Sequence, residues 1–255
     1  MSTNLKGRTI IVTGATKGIG RSTCVALARE GARVVATGRD AVGGEETLRQ
    51  VADAGGEAIF VAHDVAREDQ WERLFAETEK RFSAPHGLVN NAGIFFVKPI
   101  ADTTEEDFDR IYSINVEGTF LGVKHAFRSF ARSKTAGAIV NVSSLMGQVG
   151  YPNSIAYCAT KGAVTAMTKT AAIEGAQMSP KVRVNSLHPG VIWTPMITDN
   201  FGDDQALADA FAADTPLRMI GRPEYMADAI CYLIGDDAAY VTGAELTADG
   251  GRGAD

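Results

Sequence analysis

Short apolar runs rich in Val and Ile recur along this chain, each followed by a stretch whose apolar residues return at helical spacing. The runs predict strands at 9–13, 33–37, 58–62, 88–90, 138–142, 182–187 and 245–247. The stretches between them predict helices near 19–30, 43–54, 67–82, 105–133, 155–178 and 223–235. Strands that are apolar almost throughout, separated by helices, imply a doubly wound parallel sheet of about seven strands covered on both faces. No linker or repeat divides the chain, so 1–255 is expected to form a single α/β domain. The longest irregular stretch, 194–222, carries Pro195, Gly202, Pro216 and Gly221 beside Met196, Phe201, Leu207, Phe211 and Met219. That mixture predicts a short helical lid over a site.

Composition narrows the function classes. With 255 residues, 45% of them hydrophobic, the chain is long enough to bury a sizeable core. A net charge of −6 argues against nucleic acid or an anionic membrane surface as the main partner. No apolar run is long enough to span a bilayer, and the polar start at 1–8 does not resemble a signal peptide. Cys24, Cys158 and Cys231 are widely spaced and odd in number, matching neither a disulfide framework nor a metal site. Buried thiols in a cytoplasmic protein are the expectation.

The first predicted strand runs into Thr13-Gly14-Ala15-Thr16-Lys17-Gly18-Ile19-Gly20, and a helix opens there. Glycines at such a turn let the backbone approach a pyrophosphate, while the helix N-terminus supplies amide donors. Dinucleotide binding follows. At the end of the second strand, Gly38 stands where an NAD-specific site usually places a carboxylate, and Arg39 comes next. A guanidinium accommodates a ribose 2′-phosphate, and Lys17 adds a second cation, so NADP(H) is favoured while NAD(H) stays possible. Replacing Gly38 by Asp is then expected to raise NADH use at the expense of NADPH. Asp40 lies close enough to count against that preference. Asp64, after the third strand, either accepts from the adenine amino group or caps its loop, and the sequence leaves both open.

Tyr157 and Lys161 stand four apart in a predicted helix and so share one of its faces. A phenol ordinarily holds its proton to about pH 10, and a nearby ammonium is expected to lower that value into the range of acid–base work.

Together these residues resemble the short-chain dehydrogenase/reductase family in its compact single-domain branch, with its Rossmann-type fold. The likeness spans essentially the whole chain. The 13–20 segment resembles the family's cofactor loop, with Gly14, Thr16, Lys17, Gly18, Ile19 and Gly20 at cofactor-binding positions. Asn91, Ala92 and Gly93 belong to a segment similar to its NNAG. Asn115 matches a helix-borne catalytic Asn, Ser144 lies thirteen residues before Tyr157 as the catalytic Ser does, and Tyr157 with Lys161 matches YxxxK. Pro189, Gly190 and Thr194 resemble the segment whose Thr binds the nicotinamide amide. The resemblance implies hydride transfer with NADP(H). Tyr157 would be the general acid or base, and Lys161 would tune it and hold the nicotinamide ribose. Ser144 would donate to the substrate oxygen, and Asn115, inside a long helix, would hold a relay water. It also implies a homotetramer. His188 departs from the family's more common Ala or Ser before Pro-Gly, as Phe95-Phe96 departs after NNAG.

Residues expected to face substrate are Ile94, Phe95, Phe96, Leu145, Met146, Tyr151, Val191, Met196 and Phe201. They suit an apolar ketone or secondary alcohol, most like those of bacterial secondary-alcohol and hydroxysteroid dehydrogenases, though core or subunit interface would read the same way. Lys124, Arg128 and Arg132, four apart on one face, either dock an acidic carrier protein, as a 3-oxoacyl carrier-protein reductase requires, or complement a helix dipole. A cofactor-sensing protein on the same scaffold is a third reading, and it would be expected to lack Ser144, Tyr157 or Lys161.

Overall fold

In β1 (Thr9–Val12) every residue is buried, and successive side chains go to opposite sides of the sheet. Ile10 and Val12 join one apolar cluster, with Leu27 and Ile230. Ile11 joins another, with Trp71, Leu121 and Phe130. The same two-sided burial recurs in β4 (Gly87–Asn90) and β5 (Gly137–Val142). This explains why these strands read as unbroken apolar runs rather than alternating ones. The computed structural model describes residues 4–254.

Seven parallel strands form one sheet in the order β3-β2-β1-β4-β5-β6-β7, completed by β2 (Arg33–Gly38), β3 (Glu57–Ala62), β6 (Val182–Pro189) and β7 (Glu245–Ala248). Helices α1 (Gly18–Arg29), α2 (Ala41–Asp53) and α9 (Pro223–Ile234) contribute Leu27, Val51 and Ile230 to one cluster. Helices α3 (Glu68–Arg81), α5 (Gly118–Ser133) and α6 (Ile155–Gln177) contribute Trp71, Phe130 and Ala171 to the other. The chain reverses its direction of winding between β1 and β4, and a parallel sheet opens a crevice at the carboxyl ends of its strands there.

One long helix expected over 105–133 is divided. Helix α4 (Glu105–Tyr112) starts with a capping box of Thr104 and Asp107, and a π-helical turn, Ser113–Glu117, then joins it to α5. Asn115 lies in that turn. The stretch 194–222 holds two short helices, α7 (Pro195–Phe201) and α8 (Gln205–Ala213), beside the C-terminal ends of the strands. The expected thiol burial holds for Cys24 and Cys231, while Cys158 is half-buried. Among the described residues, no helix is long and apolar enough to cross a membrane.

Candidate active site

The loops leaving β1 and β4 are tied together. Thr13 Oγ1 accepts from the backbone N–H groups of Asn91 and Ala92, both at 3.0 Å, and Asn91 Nδ2 donates to the Thr13 carbonyl at 2.9 Å. This contact requires glycine: a Cβ on Gly14, whose φ is +61°, would lie 2.8 Å from the Ala92 Cα. Backbone therefore lines the floor where side chains would otherwise stand. The result is a cleft of about 460 Å³. Gly14, Thr16, Lys17, Gly18 and Ile19 line it from the loop, Arg39 and Asp64 from beside the outer strands, and Asn91, Ala92, Gly93 and Thr194 from the other side. Helix α1 begins at Gly18 with no acidic residue in its first turn. That leaves its amide dipole free for an anion.

The charges at the far end are sorted by their partners. Asp40 is engaged, its carboxylate accepting from Gly43 N–H at 3.1 Å as the N-cap of α2. Arg39 is exposed on the cleft and makes no hydrogen bond or ion pair among the described residues. Lys17 reaches Asp199 at 3.3 Å, with both side chains more than half exposed. Asp64 caps its loop, Oδ1 accepting from Ala66 N–H at 3.1 Å, and it also lines the cleft. Gly38 corrects an expectation: a Cβ there would meet Thr16 Cγ2 at 2.6 Å. A carboxylate at this position therefore needs Thr16 to move first.

A second cavity of about 110 Å³ adjoins the first, and Ile19, Asn91, Gly93, Phe95, Thr194 and Met196 line both. Its inner wall carries Ser144, Tyr157 and Lys161, all buried. Tyr157 and Lys161 sit one turn apart near the start of α6, and the Lys161 Nζ lies 5.5 Å from the phenol ring centroid while donating to the Val142 carbonyl at 2.8 Å. Ser144 Oγ accepts from Met146 N–H at 3.1 Å and also hydrogen-bonds the Tyr157 hydroxyl. Pro189, Gly190 and Thr194 close the nearby side.

The electrostatics differ from the expectation that Lys161 lowers the phenol. Burial dominates and pushes Tyr157 up to about 12, with the Ser144 hydrogen bond pulling the other way. Burial likewise pulls Lys161 down to about 8. Both groups sit in the same low-dielectric wall, so each resists its own charge. The Asn115 side chain is fully engaged. Its Oδ1 accepts from Ile94 N–H at 2.9 Å, and its Nδ2 donates to the Ile94 carbonyl at 3.0 Å and to Thr160 Oγ1 at 3.2 Å. A Cβ on Gly93 would approach both Asn115 Oδ1, at 3.2 Å, and Lys161 Nζ, at 3.7 Å, which places the π-helical turn beside the ammonium.

Of the residues expected to face substrate, Phe95, Leu145, Met146, Val191 and Met196 line the second cavity and Ile94 the first. Phe95 stands edge-on to Tyr157, with ring centroids 4.9 Å apart, and Phe201 backs it at 6.0 Å. Phe96 packs into the small cluster around Tyr157. Tyr151 is a correction: it lies outside the lining and meets the Arg252 guanidinium at 5.6 Å from its ring centroid. Arg252 itself, paired with Asp214, lines the cavity and was missed. Only an Arg soon after the Asp-Gly-Gly turn signals it in the sequence, because the C-terminal segment reaches the site by folding back. The basic face of α5 is neutralised: Lys124 and Arg128 both approach Glu68, and Arg132 pairs with Glu79. An acidic carrier would find little free charge there.

Comparison with known proteins agrees with this geometry. A family model described as "Enoyl-(Acyl carrier protein) reductase" matches residues 14–252. The chain is 40% identical over 252 residues to the NADP-dependent (R)-specific alcohol dehydrogenase of Lentilactobacillus kefiri, covering 98% of each. It is 40% identical to the cyclopentanol dehydrogenase of Comamonas sp. (strain NCIMB 9872), covering 96% of each. Among solved structures, levodione reductase superposes with a TM-score of 0.93 at 31% identity, over 98% of this chain and 99% of that one.

Proposed function

The chain belongs to the short-chain dehydrogenase/reductase family, and from that membership we propose that it interconverts an apolar ketone and its secondary alcohol with NADP(H). One observation carries the reading. The wall holding Ser144, Tyr157 and Lys161 meets the long cleft at residues common to both cavities, so a substrate carbonyl and a cofactor ring would face each other there.

The cleft fits a dinucleotide. Gly14 leaves room that a Cβ would fill, Gly18 opens α1 at the floor, and the unpaired Arg39 stands where a 2′-phosphate would need a cation. Thr16, Lys17, Ile19 and Gly20 would hold the pyrophosphate end with those glycines, and Asp64 and Ala92 would border the adenosine. Asn91, Gly93, Pro189, Gly190 and Thr194 would flank the nicotinamide. That group supplies the hydride.

The chain's own residues handle the proton and the growing negative charge. Tyr157 hydroxyl gives its proton to the carbonyl oxygen in reduction and takes it from the alcohol in oxidation. Held at about 12, it is fully protonated at neutral pH and is ready to act as the acid. Ser144 O–H donates to the same oxygen, a preorganised contact in a dry wall. Lys161 is held on the Val142 carbonyl, from which its ammonium steadies a phenolate formed one turn away. Asn115 fixes the loop after β4 at Ile94, so its part is to shape the wall beside Lys161.

Phe95, Leu145, Met146, Val191 and Met196 offer an apolar surface to the substrate. The names of the relatives, an alcohol dehydrogenase and a cyclopentanol dehydrogenase, support the same class. The reading extends to a cytoplasmic homotetramer. Exposed Phe120, Ile155 and Ile173 on α5 and α6 would be covered in it. NADPH consumption across a panel of cyclic, aryl and steroid ketones, with 3-oxoacyl thioesters alongside, tests the activity. Saturable turnover of the ketones is expected. Turnover of the thioesters alone would overturn it.

A further inference from the structure

His188 is fully buried on β6, and both its ring nitrogens have partners. Nδ1 lies 2.9 Å from the Ser144 carbonyl oxygen, and Nε2 lies 2.9 Å from Ser186 Oγ. A carbonyl cannot donate, so Nδ1 carries the proton and Nε2 of the neutral ring accepts from the Ser186 hydroxyl. The Ser144 carbonyl also accepts from Gly147 N–H at 2.9 Å. Both of its lone pairs are then filled from two directions, and the Ser144–Leu145 peptide plane has no freedom to rotate. That plane leads directly into Met146, whose N–H holds Ser144 Oγ at 3.1 Å. Imidazole, peptide plane and serine hydroxyl thus form one chain of constraints.

We propose that His188 is a positioning residue that aims the Ser144 hydroxyl at the substrate oxygen by locking the Ser144–Leu145 peptide plane. The inference rests on the role given to Ser144 above. The lock is anchored outside the cavity. Glu245 on β7 stands 3.9 Å from Nε2, and Lys169 and Gln148 hold Glu245 from the surface. Burial keeps the imidazole below its ordinary pKa against the pull of Glu245, with Lys161 and Lys169 adding to the depression. At neutral pH the ring is therefore uncharged and keeps its single donor on the Ser144 carbonyl. On the substrate side the lining is mostly apolar, and the Tyr157 hydroxyl is the other group that bonds the serine hydroxyl.

His188→Ala opens the larger void, and only Asn places an N–H near the position of Nδ1. Both are expected to melt at lowered temperatures, His188→Ala the lower of the two. With sites counted by NADPH titration, His188→Ala should lose kcat by about 10- to 100-fold, the scale of a small misplacement at a reacting centre. KM for NADPH should hold within about twofold, and His188→Asn should recover most of the rate. Equal kcat losses in both variants, or full kcat in His188→Ala, would overturn the proposal. Ser144→Ala run beside them separates the two levels. Its loss of turnover together with a fully active His188→Ala defeats this inference alone, whereas a fully active Ser144→Ala defeats the reading of Ser144 as well. Nitrogen NMR on the unmodified protein gives a check that needs no variant to fold. A neutral ring protonated at Nδ1 is expected, and protonation at Nε2 instead would overturn the lock.

Discussion

At one end of the reaction cleft Lys17 and Arg39 stand exposed, while at the other Ser144, Tyr157 and Lys161 are 8%, 8% and 5% accessible. The outer end is shaped by backbone: glycines without side chains let the β1 and β4 loops touch, and charge waits at the rim. The inner end is shaped by side chains locked into hydrogen bonds with β5, β6 and each other. Two consequences follow. Selectivity for a cofactor's charged group can be changed at the rim with little disturbance, because Arg39 makes no hydrogen bond or ion pair among the described residues. Chemistry at the wall cannot be changed so freely, because the polar groups there are buried on one another and on β5, and removing one leaves a buried partner unsatisfied.

The largest test of this contrast is Tyr157→Phe. It should keep NADPH binding yet lose turnover by about 10²–10⁴-fold, the usual share of general acid–base catalysis. Stopped-flow cofactor binding beside steady-state rates checks both halves, and near-normal turnover at neutral pH would end the assignment. Next in size, Arg39→Ala should weaken NADPH by roughly 10- to 100-fold, as expected for a charge-assisted contact of about 1.5–3 kcal/mol. NADH should be almost unaffected, and an equal loss for both cofactors would remove the 2′-phosphate argument.

The pH profile probes the inner end alone. Alcohol oxidation needs the phenolate and the ammonium that steadies it. With the Tyr157 hydroxyl pushed up to about 12 and Lys161 pulled down to about 8, its kcat/KM should climb by up to about tenfold per unit only to about pH 8 and then level off. Ketone reduction needs the protonated phenol and the ammonium of Lys161, which burial pulls down to about 8. Its kcat/KM should therefore hold through neutrality and decline above that value. A flat oxidation profile below about pH 8 would contradict the assignment. The smallest effect is expected from Gly38→Asp. The new side chain meets Thr16 at 2.6 Å before it can reach a ribose, so both cofactors should weaken a few-fold. Pairing it with Thr16→Ala should then favour NADH, and kinetics with each cofactor would show the switch.

Much of the outer end was legible because its determinants are contiguous. Thr13 to Gly20 lie in one turn, Arg39 directly follows β2, and the apolar strands mark the sheet by their composition alone. The inner end was legible only as a pattern of spacing. Tyr157 and Lys161 share a helix face by local geometry, but nothing local shows that burial would raise the phenol instead of letting the ammonium lower it. Asn115 read as a residue in a continuous helix because α4 and α5 have compatible periodicity across the π-helical turn. Asp40 counted against the NADP(H) preference until its hydrogen bond to Gly43 showed it capping α2. Arg252 and His188 were out of reach for the same reason: their partners lie 38 and 44 positions away, at the end of α8 and just past the neighbouring strand β5, and only folding brings them together.

By itself, then, the order of residues settled the alternation of strands and helices, the glycine turn and the face shared by Tyr157 and Lys161, since each depends on steric preferences acting over a few neighbours. The burial of those groups, the partner of every polar atom in the wall and the joining of two cavities into one site were decided by tertiary packing. Dielectric environment and hydrogen-bond satisfaction depend on what lies across space from a residue, and no stretch of chain carries that information alone.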